Sequence, residues 1–113
     1  MCLLVSQHNK ISVVLLSEQL VTSNAKEINL ALKKLIKAGH QKLILDLSIL
    51  TDIDLRGLSV LVTTHHYLAK VGGKMALLTP TCHVQILIDL TQQQQLFEIY
   101  QDKTNAVIRM QEA

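Results

Sequence analysis

Hydrophobic positions along this chain follow two alternating rhythms. Short, nearly continuous apolar runs, QKLILDL at 41–47, KMALLT at 74–79 and LFEIY at 96–100, fit strands of a parallel sheet covered on both faces. Between them, apolar residues recur every three to four positions, as on one face of a helix. Ile28, Leu32, Leu35 and Ile36 form the first stripe. Ser23 or Asn24 is its cap, Glu27 lies three residues after Asn24, and Gly39 is its stop. Leu58, Leu61, Val62, His65 and Leu68 form the second, over 55–71, and Gly72-Gly73 ends it. Val84, Leu87 and Ile88 mark a short third helix, with Thr79 as cap and Pro80 as its first residue. Ala106, Val107 and Met110 mark a fourth, from 103 onwards. Ahead of these, residues 2–7 and 10–17 are rich in β-formers, and His8-Asn9 is the turn between them.

The predicted order is β-β-α-β-α-β-α-β-α. It describes an α/β fold with a mostly parallel sheet, right-handed crossovers, helices packed against the sheet and an antiparallel hairpin at the N-terminal edge. The chain has 113 residues, the size of one compact domain, read here as 1–113. Hydrophobic residues make up 49% and aromatics only 3%. The core is therefore aliphatic, and the chain lacks the stacking platforms of a single-strand or RNA binder. Net charge is +2, with scattered lysines; no basic stripe points to nucleic acid. No stretch approaches a membrane span, and the N-terminus lacks the pattern of a signal peptide. Cys2 and Cys82 form no metal or redox motif, which suits a reducing, cytoplasmic setting.

The turn TDIDLRGLSV at 51–60 holds the most informative residues. Asp54 stands where a strand-to-helix connection ends, so its carboxylate can cap the helix by accepting the N–H groups of residues 56 and 57. The alternative is that Asp54 belongs to a site, because a helix N-terminus also suits an anion. Gly57 lets another backbone come close. Arg56 is a cation in the first helical turn, which the dipole disfavours. It either points into water or meets an acidic group on a partner. Leu55 is either tucked against the third helix or exposed as an apolar contact.

These residues resemble the STAS domain superfamily, in particular the single-domain bacterial anti-sigma factor antagonists. The resemblance rests on Asp46-Leu47-Ser48 at the end of a strand, then Asp54-Leu55-Arg56-Gly57-Leu58 opening a helix. EQLVTSNA at 18–25, Gly72-Gly73, LLTP at 77–80 and LFEIY followed by Ala106 stay in register with it. It implies a non-enzymatic regulatory module that needs no cofactor and binds an anti-sigma factor or kinase-like protein in a partner-switching pathway. The binding surface would comprise Asp54, Leu55, Arg56, Gly57, Ser59, Val62 and His66, with the facing third helix. A homodimer is compatible with it. The family's phosphoacceptor is the first hydroxyl residue after the aspartate, and here that position is Leu55. The resemblance thus implies a module deaf to the usual kinase, with Thr51 and Ser59 as the neighbouring hydroxyls. Gln92-Gln93 and Val21 also depart from the family pattern. An alternative role is an accessory subunit of an ABC-type lipid transport complex or of a stress-sensing assembly.

Other chemistry is thinly supported. His65 and His66 are about 100° apart on a helix and cannot easily share a metal. His83 has no second histidine at ligand spacing. Cys82 near a helix start has no base placed beside it by sequence. Asp46 and Asp54 flank one turn, as an acid/base pair or as two plain caps. No glycine-rich phosphate loop is present.

Overall fold

The computed structural model describes residues 4–8, 10–93 and 95–111. Cys2, Leu3 and Asn9, which entered the reading above, lie outside them. The elements in chain order are β1 (Leu4–His8), β2 (Ile11–Leu15), β3 (Gln19–Leu20), α1 (Thr22–Lys37), β4 (Lys42–Asp46) and β5 (Asp52–Ile53). They continue with α2 (Leu55–Lys70), β6 (Lys74–Leu78), α3 (Cys82–Leu90), β7 (Glu98–Tyr100) and α4 (Lys103–Gln111). The predicted α/β order is present, with two additions: β3 and β5 pair parallel to each other in a small separate sheet. At two residues each, they are too short to show a periodicity.

The main sheet has the order β1-β2-β4-β6-β7. β1 and β2 form the antiparallel edge hairpin, with His8 opposite Ile11; His8 is the last residue of the strand rather than part of the turn. All other pairs are parallel: Val13 lies beside Ile44, Ile44 beside Ala76, and Ala76 beside Glu98. The central strands β4 and β6 are apolar between Lys42 and Asp46 and after Lys74 because both their faces are covered. Leu43, Leu45, Met75 and Leu77 face α1, α2 and α3 in the larger core. Ile44, Ala76 and Leu78 face α4, whose Ala106 and Met110 close the smaller one.

Leu58, Leu61 and Leu68 are buried as the stripe on α2 predicts, while Val62 and His65 are only half-buried. Val60 and Thr64 are buried as well. The reason is that α2 packs on α1 as well as on the sheet, so the buried arc is wider than one stripe. Thr64 satisfies its hydroxyl by donating to the Val60 carbonyl, 2.8 Å away.

Two predicted caps are corrected. α1 begins at Thr22, with Val21 at the cap position. Asn24 is the third residue of the helix and reaches back, its Oδ1 accepting the Val21 N–H at 2.9 Å; neither Ser23 nor Asn24 is the cap. α3 begins at Cys82 after Thr81 rather than at Pro80 after Thr79. Thr79 is in the left-handed region at φ 50, its N–H held by the Tyr100 carbonyl at 2.7 Å. The chain therefore turns further before it can coil.

Leu61, fully buried between sheet and helices, gives a direct check. Leu61→Ala should lower unfolding free energy by about 2–5 kcal/mol in urea titrations. Leu30→Ala, at a side chain half exposed on α1, should change it by less than about 0.5 kcal/mol.

Candidate functional site

The loop from β4 to α2 leaves the carboxyl end of the sheet, the end where open parallel sheets hold their sites. Its first residues are tied to the neighbouring strand: the Leu47 N–H donates to the Leu78 carbonyl at 2.9 Å. The Asp46 carboxylate accepts the Ser48 N–H at 3.0 Å and closes a local turn. Leu50 is buried and its carbonyl takes the Thr81 hydroxyl at 2.7 Å. His83 Nδ1 lies 2.9 Å from the Thr51 carbonyl, so that nitrogen carries the proton and donates. α3 thus pins this loop from one side.

On the other side the loop is pinned by Asp54, through two helices at once. Oδ1 accepts the Gly57 N–H at 2.8 Å and caps α2. Oδ2 accepts the Thr22 N–H at 2.9 Å and the Thr22 hydroxyl at 2.8 Å, which caps α1 from a position 32 residues away in sequence. The bonds from Gly57 and then Thr22 hold the Asp54 carboxyl below its ordinary 3.8, against the opposing effect of desolvation. The expected cap of α2 is present, with Gly57 as its donor. The second helix end was not anticipated; the signal available in the sequence was that one helix end leaves a carboxylate an oxygen to spare.

Gly57 sits under β3. A Cβ added there would overlap the Leu20 carbonyl oxygen, so the close approach expected of this glycine is to the backbone of β3. β3, β5, the start of α1 and the start of α2 meet here, and Asp54 and Gly57 make the junction.

Leu55 is not tucked against α3; it is 66% exposed. Arg56 and Ser59 are exposed, Val62 is half-buried and His66 exposed. Leu55, Ser59, Val62 and His66 follow one another at helical spacing, so they form one stripe on the open face of α2. Ile49 in the loop and Ile86 on α3 are also exposed apolar side chains. Thr51 is exposed beside the start of α3.

Asp46 and Asp54 are each engaged by backbone N–H groups rather than by each other. His65 packs edge-on against Phe97, ring centres 6.0 Å apart. Burial first, then the neighbouring His66, lowers its pKa from the usual 6.5. Among the described residues no group of three His, Cys, Asp or Glu side chains could hold a metal ion. No helix there is long and apolar enough to cross a membrane.

Asp54→Ala should lower the urea midpoint at pH 7. A carboxyl whose folded pKa lies below its unfolded one stabilises the fold above about pH 3.8, and the effect is lost as pH falls through the lower folded value. Stability profiles from pH 6 to 2 should therefore fall more steeply at the acid end for the wild type than for the variant. Gly57→Ala should destabilise by about 2 kcal/mol or more, where an unobstructed helical Gly→Ala change would stabilise.

A family model described as the STAS domain matches residues 3–106. Several solved structures share the fold. One is a putative anti-sigma factor antagonist from Thermotoga maritima, with TM-score 0.88, 22% identity, and 96% of this chain matched to 94% of that one. Another is the anti-sigma factor antagonist SpoIIAA in its unphosphorylated form, with TM-score 0.83, 17% identity and coverage of 99% and 98%. SpoIIAA, a Bacillus cell fate determinant, is also solved in a phosphorylated form. A third is the murine anion transporter Slc26a9, with TM-score 0.79 and 20% identity, where 96% of this chain matches 19% of the transporter. Comparison by sequence with curated proteins returns no match.

Proposed function

Since this chain belongs to the STAS domain family, we propose that it is a protein-binding regulatory module of the anti-sigma factor antagonist kind. It carries no catalytic step of its own, and its partner is an anti-sigma factor or kinase-like protein in a partner-switching pathway. The observation that carries this reading is the exposure of Leu55 at the tip of a turn held rigid from both sides. Asp54 and Gly57 are engaged in the junction, so they shape the contact rather than make it. The contact falls to Leu55, Arg56, Ser59, Val62 and His66 with the adjoining face of α3. An exposed leucine on a turn whose backbone is already held costs little backbone ordering entropy to bury against a partner.

Leu55 has no oxygen to phosphorylate. A kinase that modifies the family's usual acceptor finds none at this turn, and the partner is not released by that route. Binding is then governed by the amounts of module and partner, and by whatever modifies the partner.

A second reading is favoured by one observation. Nearly the whole chain superposes on a small part of an anion transporter. A module of this shape also serves as an accessory piece of a larger transport or stress-sensing assembly.

Tagged wild-type and Leu55→Asp proteins, used to purify partners from the source cells, separate these readings. The first expects a kinase-fold regulator bound to the wild type and reduced roughly a hundredfold with the variant, by burial of an unpaired charge in an apolar contact. Transport subunits in its place would support the second. Incubation of the chain with the purified regulator and ATP should leave residues 51–59 unmodified by mass spectrometry, and Leu55→Ser should gain a phosphate. Phosphate on wild-type Thr51 or Ser59 would refute the insensitivity to the kinase.

A further inference from the structure

A groove runs between α1 and α2, on the side of the Asp54 junction away from α3. It is lined by Thr22, Ala25, Lys26 and Asn29 from α1, and by Arg56, Ser59, Val60 and Thr63 from α2, and encloses about 460 Å³. That is within the range of small-ligand sites. Asp54 is not among its walls.

Its lining is rich in donors and holds no acid. Neither the Lys26 ammonium nor the Arg56 guanidinium has a hydrogen-bond or ion-pair partner among the described residues. The hydroxyls of Ser59 and Thr63 are likewise unengaged, whereas that of Thr22 is given to Asp54. Asn29 lines the groove, and its amide oxygen is buried with no hydrogen-bond partner among the described residues, so a small rotation of this amide can turn its N–H towards an anion. Neither helix has an acidic residue in its first turn. Arg56, the second residue of α2, is disfavoured there by the helix dipole, so an anion beside it relieves that cost as well.

We propose that this groove is a binding site for a phosphoryl group. A guanidinium, an ammonium, two hydroxyls and an amide offer more donors than the roughly four lone-pair positions of a carboxylate. They suit a tetrahedral dianion with three or more acceptor oxygens. The phosphoryl group arrives either as free phosphate or borne on a phosphorylated side chain. The site does not rest on the partner-binding role proposed for the Leu55 stripe: it should be occupied in the isolated chain.

The test is an amide NMR titration of the full chain with inorganic phosphate, O-phosphoserine, acetate and chloride at matched ionic strength. The proposal expects saturable shifts at Lys26, Asn29, Arg56, Ser59 and Thr63 with phosphate or phosphoserine. Arg56→Gln and Lys26→Gln, both at exposed side chains, should each weaken binding roughly tenfold while the rest of the spectrum stays in place. Tighter binding of phosphoserine assigns the site to a side-chain phosphate; equal or tighter binding of phosphate assigns it to the free ion. Shifts equalled by acetate or chloride, shifts unchanged in both variants, or no saturable shift would each overturn the proposal.

Discussion

The Asp54 carboxylate takes the first N–H of α1 on one oxygen and the Gly57 N–H of α2 on the other. Every helix leaves several N–H groups without partners at its start, and a typical cap answers them from the adjoining residue. Here one side chain answers two helices that begin 33 residues apart, and so it fixes their separation. Gly57 completes the constraint from the other side, because the Leu20 carbonyl occupies the space a side chain would need. The small β3–β5 pair lies between these contacts, with Leu20 beside Ile53. The open stripe on α2 and the groove between the helices inherit their geometry from this junction.

The large elements could be read from the sequence because each obeys a local rule. β4 and β6 are nearly continuous apolar runs, and α2 keeps its helical spacing from Leu58 to Leu68 before stopping at a glycine pair. What could not be read was set by distant neighbours. Ser23 and Asn24 were both plausible caps for α1; the helix instead starts at Thr22, whose N–H is taken by Asp54, 32 residues away, which local preference cannot see. β3 and β5 exist as strands only because they meet each other. The start of α3 shifted because Tyr100, far along the chain, holds the Thr79 N–H. At the site, the roles of Asp54 and Gly57 were visible in outline, but the exposure of Leu55 was open until the packing was known.

The two helices give the chain two distinct faces beside one junction. On one, Leu55, Ser59, Val62 and His66 run along the open side of α2 beside α3. On the other, Lys26 and Arg56 look across a groove floored by Ala25 and Val60. Arg56 and Ser59 adjoin both, so occupants of the two proposed faces would share these two side chains. The loop itself has little freedom to relay a signal by moving, since Leu50 is buried and the carbonyls of Leu50 and Thr51 are both held by α3.

The side chain of Leu55 projects into solvent, while its backbone serves a junction assembled by its neighbours. Selection on the fold therefore has almost no grip on the identity of that residue. A lineage can drift between a hydroxyl and an alkyl group there without passing through an unstable intermediate. Under the proposed regulatory role, responsiveness to a modifying enzyme would be a trait lost or regained by changing a single position. Paralogues that share this scaffold could then diverge from regulated to constitutive behaviour far faster than their structures diverge.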